Sequence, residues 1–297
     1  MAHWIASASV RALFQNPGTP QNVCRVFGRP KRFYSNSGAP FVNILVEARG
    51  EKNNVGYIQL NRKNNHNAIS PDLSKELYRA LVDFENDEQI GAVVYTGGEK
   101  IFTVGADIPA MKGYGHLDMV KRDFSEYWNK IHTFRKPIVA AVNGYCVGGG
   151  TETIMMCDVV YAGEKAQFGQ PEIKIGIIPG AGGSQRLPKA IGKSKAMEAI
   201  LTANLISAQQ AMDWGLISKV FPVDQVIPEA IKLAERIAAK PRVAAMMAKQ
   251  AVKLAYEVPL SQGVQIERTF SVTLAATKDF KEGMAAFLEK REAVFTD

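Results

Sequence analysis

Two glutamates stand where a buried carboxylate needs a reason. Glu152 closes the run Asn143-Gly144-Tyr145-Cys146-Val147-Gly148-Gly149-Gly150-Thr151-Glu152, in which a strand-like segment meets three consecutive glycines. The residues beyond, to Met156-Cys157-Asp158, read as a buried helix. Glycines at such a junction let backbone approach a ligand, and the free N–H groups of a helix start favour negative charge. A carboxylate in so apolar a segment costs roughly several kcal/mol unless it is paired or its pKa is raised. Glu152 is therefore either a reacting group or a partner of the helix dipole. Glu172 ends the run Phe168-Gly169-Gln170-Pro171-Glu172, ahead of the glycine-rich stretch from Gly176 to Gly183. It lies twenty residues past Glu152, outside the range of same-face helical neighbours, so only the tertiary fold can unite the two. Two carboxylates on one substrate can divide acid and base work if their surroundings separate their pKa values. Taken alone, Glu172 reads as a surface-loop residue. In a third run, Thr103-Val104-Gly105-Ala106-Asp107-Ile108, Ala106 has no reactive side chain, so what it offers chemistry is its N–H.

Other chemistries lack their residues. Gly192-Lys193-Ser194 looks like the end of a phosphate loop, but Leu187 stands where the first glycine belongs. No dinucleotide fingerprint opens the first strand-helix unit, and no nucleophile elbow occurs. His3, His66, His116 and His132 are dispersed without metal or triad spacing. Cys24, Cys146 and Cys157 form neither a disulfide framework nor a metal pattern, and read as reduced thiols.

The elements that must carry these runs alternate. Val42 to Val46 and Val55 to Leu60 read as strands joined by the polar turn Glu51-Lys52-Asn53-Asn54. Ser70-Pro71 marks a helix start, with Leu73, Leu77, Leu81 and Phe84 on one face. Ala92 to Thr96 and Pro137 to Val142 read as buried strands, with a helical stretch from about His116 to Phe134 between them. The long apolar stretch from Pro137 to Met156 is broken by Asn143, the triple glycine and Glu152, which predicts a buried strand-turn-helix and no membrane span. After about residue 225 only helical patterns remain, around Val226 to Ile237, Val243 to Leu254, Ile266 to Leu274 and Phe280 to Phe287. The fold class expected is α/β.

Composition sharpens the destination. The 297 residues are 46% hydrophobic and 22% charged, ordinary for a globular enzyme and unlike disordered or disulfide-scaffold chains. The formal net charge of +7 is concentrated at one end. Arg11, Arg25, Arg29, Lys31 and Arg32 all precede the first acidic residue, Glu47. Without them, 36 Lys+Arg against 29 Asp+Glu becomes a nearly balanced chain. A basic, acid-free start with Trp4, Ile5, Val10, Leu13 and Phe14 on one face reads as a mitochondrial transit peptide over 1–34, with cleavage after Tyr34. A retained basic arm for nucleic acid is the other reading.

In order along the chain, Gly105-Ala106-Asp107, Gly148-Gly149-Gly150 with Glu152, and Phe168-Gly169-Gln170-Pro171-Glu172 resemble the enoyl-CoA hydratase/isomerase (crotonase) superfamily. The resemblance runs from about Val42 to Lys290 and, within that superfamily, points to the mitochondrial short-chain hydratases. It implies a crotonase-type spiral of ββα repeats, with the core at 41–225 and a C-terminal helical oligomerisation region at 226–297. It implies that the N–H groups of Ala106 and Gly149 form an oxyanion hole for a thioester oxygen. In that picture Glu152 activates water for attack at C3 and Glu172 supplies the proton to C2. Ala68, Gly105, Asp107, Ile108 and Gly148 match substrate- and CoA-binding positions, and Phe287 and Lys290 match positions that reach the CoA of a neighbouring subunit. The implied substrate is an acyl-CoA thioester in mitochondrial β-oxidation, with no metal or redox cofactor because CoA is part of the substrate. The implied assembly is a homotrimer or a hexamer in the mitochondrial matrix. The chain departs from the family at Asn64 and Pro109, where lysines near CoA are expected; Lys63, Lys100 and Lys112 are the nearby substitutes. An isomerase, a CoA-thioester hydrolase and a nucleic-acid-binding protein that kept the fold are the alternatives.

Overall fold

The computed structural model describes residues 40–296, apart from 116 and 119–124, and no side chains of 125–128. The transit-peptide segment 1–34, Cys24 and His116 lie outside the described residues.

Strands β1 (Ile44–Arg49) and β2 (Val55–Leu60) form an antiparallel hairpin. The hairpin runs on to Arg49, beyond the Val46 expected from sequence, because Arg49 pairs with Val55 across a short turn. Gly50 and Asn53, both at positive φ, make that turn. Helix α1 (Pro71–Asn86) begins as predicted, with Ser70 Oγ accepting from the Leu73 N–H at 3.2 Å. Such a cap is worth about 1 kcal/mol. Strand β3 (Ala92–Thr96) and β4 (Ile138–Val142) are buried at every residue. Between them lie a short helix α2 (Ile108–Met111), which the sequence reading did not separate, and α3 (Ser125–Thr133). Strand β5 (Tyr145–Val147), helix α4 (Gly149–Ile154), β6 (Val159–Gly163) and β7 (Gln167–Gly169) follow. Helices α5 (Gly183–Ile191) and α6 (Lys193–Thr202), strand β8 (Ile206–Ser207), helix α7 (Ala208–Asp213) and strand β9 (Lys219–Phe221) complete the alternation.

The main sheet has the order β1-β2-β3-β4-β6-β9 and is parallel after the first pair. Continuous apolar strands such as AVVYT and IVAAV are what a parallel sheet covered on both faces requires. One face packs Val93, Tyr95, Ile138 and Ala140 against Leu73, Leu77 and Leu81 of α1. The other packs Val94, Val139 and Ala141 against Val226, Ala230 and Ala234 of α8 (Val226–Ala238). A smaller sheet, β5-β7-β8, stands beside it. Parallel bridges Thr103–Cys146 and Ile69–Ala106 extend this sheet sideways, so that the three chemistry-bearing runs become neighbours.

Helices α9 (Arg242–Leu254), α10 (Leu260–Leu274) and α11 (Lys278–Glu289) end the chain. Helix α9 buries no residue fully and is held to the core by charge. Lys249 Nζ lies 2.8 Å from Asp158 Oδ2 and also donates to the Lys136 carbonyl, while Asp158 accepts the Ile138 N–H. Lys253 adds bonds to the carbonyls of His132 and Met156. Lys253 Nζ, 3.7 Å from Asp158 Oδ1, is a second cation beside that carboxylate, so Lys249→Ala removes one of two partners and should cost about 2 kcal/mol of unfolding free energy, the scale of a lost charged hydrogen bond. Lys75→Ala, removing an exposed contact 4.0 Å from Asp72, should change it by less than about 0.5 kcal/mol. Urea denaturation of both variants checks the contrast; equal midpoints would refute it. Among the described residues no helix is long and apolar enough to cross a membrane.

Candidate active site

Gly148 lies at φ +56°, ψ −128°, a conformation costly for any side chain, and its N–H donates to the Gly169 carbonyl at 2.9 Å. The strand β5 thereby turns directly into α4, whose first N–H, that of Gly149, has no acceptor among the described residues. Gly105, at φ +89°, lies against the same corner: a Cβ there would sit 2.9 Å from the Val147 carbonyl oxygen and 3.3 Å from Gly149 N. On the other side of this strand, Ile69 donates to the Gly105 carbonyl at 2.8 Å and accepts the Asp107 N–H at 3.1 Å. Backbone groups alternate along an extended strand, so the Ala106 N–H is turned away from Ile69. Ala106 is exposed, and its N–H has no acceptor among the described residues. The third run and the triple glycine therefore present two free N–H groups on adjoining segments, as an oxyanion site requires.

Glu152 is buried in the first turn of α4. Its Oε1 accepts the N–H groups of Ala181 and Gly183, each at 2.7 Å, which fixes the carboxyl and leaves Oε2 for another partner. Burial raises its pKa above the usual carboxylate value, against the lowering effect of the Gly183 and Ala181 donors. Glu172 opens a short 3-10 turn, Glu172–Ile175, where the sequence reading had a loop. A Cβ on Gly148 would lie 3.2 Å from Glu172 Oε1, so the missing side chain of that glycine makes room for the carboxyl. Burial pushes the Glu172 pKa up to about 7, opposed by its own backbone N–H and assisted by the Glu152 charge. The fold has thus brought the two glutamates into electrostatic contact across the corner that holds the free N–H groups.

Several polar residues that sequence reasoning left unassigned hold this corner. Thr151 Oγ1 donates to the Cys146 carbonyl and accepts the Gly169 N–H at 3.2 Å, which tethers α4 to β7. Gln170 is buried, and with its amide nitrogen toward Glu172 it donates to Oε1 at 2.8 Å and Oε2 at 3.1 Å. A Cβ on Gly183 would fall 2.9 Å from the Gln170 Cδ, so this amide is packed between the supports of both glutamates. Asn67, at φ +56°, shares the two hydrogens of its Nδ2 among the carbonyls of Gly97, Ile101 and Phe102 and holds the loop that leads to Ala106. A buried polar residue in an apolar run was the available signal for Thr151, but its partners are remote in sequence.

Of the other residues singled out from sequence, Ala68 and Asp107 are buried beside this corner and joined through Arg62, and Ile108 begins α2 with an exposed side chain. Lys63 opens a short turn, 63–65, and is exposed, as are Lys100 and Lys112. Phe287 is 82% exposed near the end of α11, and Lys290 caps that helix in the left-handed conformation. Neither makes a hydrogen bond to the glutamate corner within the single chain. No group of three or more metal-ligating side chains occurs among the described residues.

Residues 50–297 match the family described as enoyl-CoA hydratase/isomerase. A mitochondrial enoyl-CoA hydratase of Pongo abelii is 51% identical over 88% of this chain and 90% of the relative. A probable enoyl-CoA hydratase of Rhizobium meliloti is 47% identical over 86% and 98%. Among solved structures, an enoyl-CoA hydratase subunit of Geobacillus kaustophilus superposes with a TM-score of 0.83 at 37% identity, covering 87% of this chain and 99% of its own. With its two sheets, its glycine corner and matches at this level over most of its length, the chain belongs to the enoyl-CoA hydratase/isomerase family.

Proposed function

We propose that the chain is an enoyl-CoA hydratase, adding water to a trans-2-enoyl-CoA thioester to give the 3-hydroxyacyl-CoA. The observation that carries this reading is the placement of two carboxyl groups of raised pKa, Glu152 and Glu172, beside the free N–H groups of Ala106 and Gly149. The thioester oxygen accepts from those two N–H groups, and negative charge collects on it as the enolate forms. Glu152, ionised, takes a proton from water as its oxygen bonds to C3. Glu172, protonated, gives its proton to C2. The substrate gains hydroxide at C3 and one proton at C2, one water in all; the proton taken from that water stays on Glu152, so the glutamates exchange protonation states, to be reset by proton transfer before the next cycle. An oxyanion donor of this kind is worth about 3 to 4 kcal/mol of barrier. Two carboxyls favour hydration over isomerisation, which can proceed with one.

The pH dependence follows from the two environments. The reactive form needs Glu172 protonated, so kcat/KM should fall as pH rises through about 7. It needs Glu152 ionised, so the acid limb should lie above the usual carboxylate range. A rate that is flat from pH 5 to 9 would contradict the assignment.

The cationic groups Lys63, Lys100 and Lys112 are the exposed candidates for the CoA phosphates, in place of Asn64 and Pro109. Ala68, Gly105, Asp107, Ile108 and Gly148 line the substrate side. A trimer or hexamer is supported by apolar side chains left exposed on α10 and α11, among them Leu260, Val272, Phe287 and Leu288, and would bring Phe287 and Lys290 to a neighbouring site. The mitochondrial matrix is supported by the basic, acid-free start and by the relatives from Pongo abelii and Dictyostelium discoideum, both described as mitochondrial. No metal or redox cofactor enters this scheme. The deciding experiment incubates the purified protein with enoyl-CoA esters of increasing length and identifies each product by mass. A gain of one water supports hydration; unchanged mass with a migrated double bond, or free CoA, would replace it with isomerisation or hydrolysis.

A further inference from the structure

Arg62 lies outside the catalytic scheme, at the end of the strand run before the turn 63–65, yet its guanidinium touches two parts of the site at once. Nη1 donates to the Ala68 carbonyl and, at 2.8 Å, to Asp107 Oδ2. One NH2 nitrogen carries two hydrogens, so a single corner of the guanidinium joins the segment that precedes Ile69 to the residue that follows Ala106. Both partners are largely shielded, with the Arg62 and Asp107 side chains 18% and 9% exposed. The other Asp107 oxygen accepts the Ala110 N–H and caps α2 at 3.4 Å. The Arg62 main chain is itself clamped, because its N–H donates to Asn67 Oδ1 and its carbonyl accepts from Asn65 and Asn67.

The consequence falls on Ala106. Ile69 holds the peptides on either side of it, through the Gly105 carbonyl and the Asp107 N–H. Arg62 holds the same two strands one residue further out, at Ala68 and at the Asp107 side chain. These contacts fix the register and rotation of the 105–107 strand relative to 68–69, and so fix where the Ala106 N–H points. Ala106 has no side chain able to set that direction, and a hydrogen bond to a developing oxyanion weakens steeply when misdirected.

We infer that Arg62 is a positioning residue for the reaction: its bridge between the Ala68 carbonyl and the Asp107 carboxylate aims the Ala106 N–H at the thioester oxygen. The inference rests on the hydratase reading above. It separates two effects of losing Arg62. One is stranding the Asp107 charge, which lowers stability; the other is loosening the N–H, which lowers turnover.

The test uses Arg62→Gln, Arg62→Lys and the double variant Arg62→Gln/Asp107→Asn in the full-length protein. Turnover of crotonyl-CoA, thermal midpoint, and the infrared stretch of a 13C-labelled thioester carbonyl in bound butyryl-CoA are measured for each. Butyryl-CoA has no double bond to hydrate, so the bound carbonyl reports the oxyanion donors directly. Arg62→Gln is expected to lower kcat about 30-fold, part of what loss of a whole oxyanion donor removes, with KM within about threefold and the carbonyl stretch moved to higher frequency. Arg62→Lys should recover part of both kcat and the frequency. The double variant should regain thermal midpoint, having no stranded charge, yet keep the low kcat and the shifted carbonyl. If kcat and the carbonyl frequency stay at wild-type values in Arg62→Gln while only the midpoint falls, or if both return in the double variant, Arg62 merely stabilises the fold and the inference is overturned. A wild-type protein that neither hydrates crotonyl-CoA nor shifts the carbonyl of butyryl-CoA would overturn the hydratase reading, and this inference with it.

Discussion

Glu172→Gln is expected to lower kcat for crotonyl-CoA hydration by about 10³-fold, the scale set by removal of a positioned general acid. The substitution keeps the shape of a half-buried side chain and its contact with Gln170. It removes a proton that an amide cannot supply to C2. KM should move little, because the proposed scheme assigns the hold on the thioester oxygen to the N–H groups of Ala106 and Gly149, which the substitution leaves in place. The alkaline limb near pH 7 should disappear together with the group whose burial puts it there. Stopped-flow loss of the enoyl absorbance, across pH 5 to 9, measures both effects. A variant with wild-type turnover would remove Glu172 from the mechanism.

Glu152→Gln should cost as much, about 10³-fold or more in kcat, for a different reason. The carbonyl oxygen of glutamine can still accept from Ala181 and Gly183, so the fold and the corner are retained. What is lost is a base for the attacking water. The two variants are separable by exchange of the C2 protons of butyryl-CoA in deuterated water, a step that needs the oxyanion site and Glu172 but no attack at C3. Glu152→Gln should retain that exchange, and Glu172→Gln should lose it. Proton NMR of the recovered ester reads the result. Loss of exchange in both variants, with both folded, would mean that the acid and base roles are not divided as assigned.

Much of the framework is legible in the sequence. β3 and β4 fall within a residue of the apolar runs that predicted them, because a strand buried on both faces must be largely apolar, and β2 is bounded by its polar turn and Leu60 as expected. The start of α1 was legible because Ser70 and Pro71 act on their own neighbours. Helix α2 was missed: four residues are too few to show a helical period, and its cap, Asp107, also serves the remote Arg62. Glu172 looked like a loop residue because nothing local to it reveals Gly148, whose missing Cβ gives it room.

The sequence by itself determined the residue types of the site and the local shapes that carry them. Two glutamates, a glycine corner and a strand ending in Gly105-Ala106 are properties of short segments, and glycine's access to positive φ is decided within one residue. The tertiary structure alone decided which of these face one another. The register of Ile69 with Ala106, the donors on Glu152, and the Arg62–Asp107 pair, 45 residues apart, depend on how sheets and loops close on each other. The raised pKa of Glu172 belongs to the same level, because desolvation and a neighbouring charge come from whatever the fold packs around a group and not from the residues beside it in the chain.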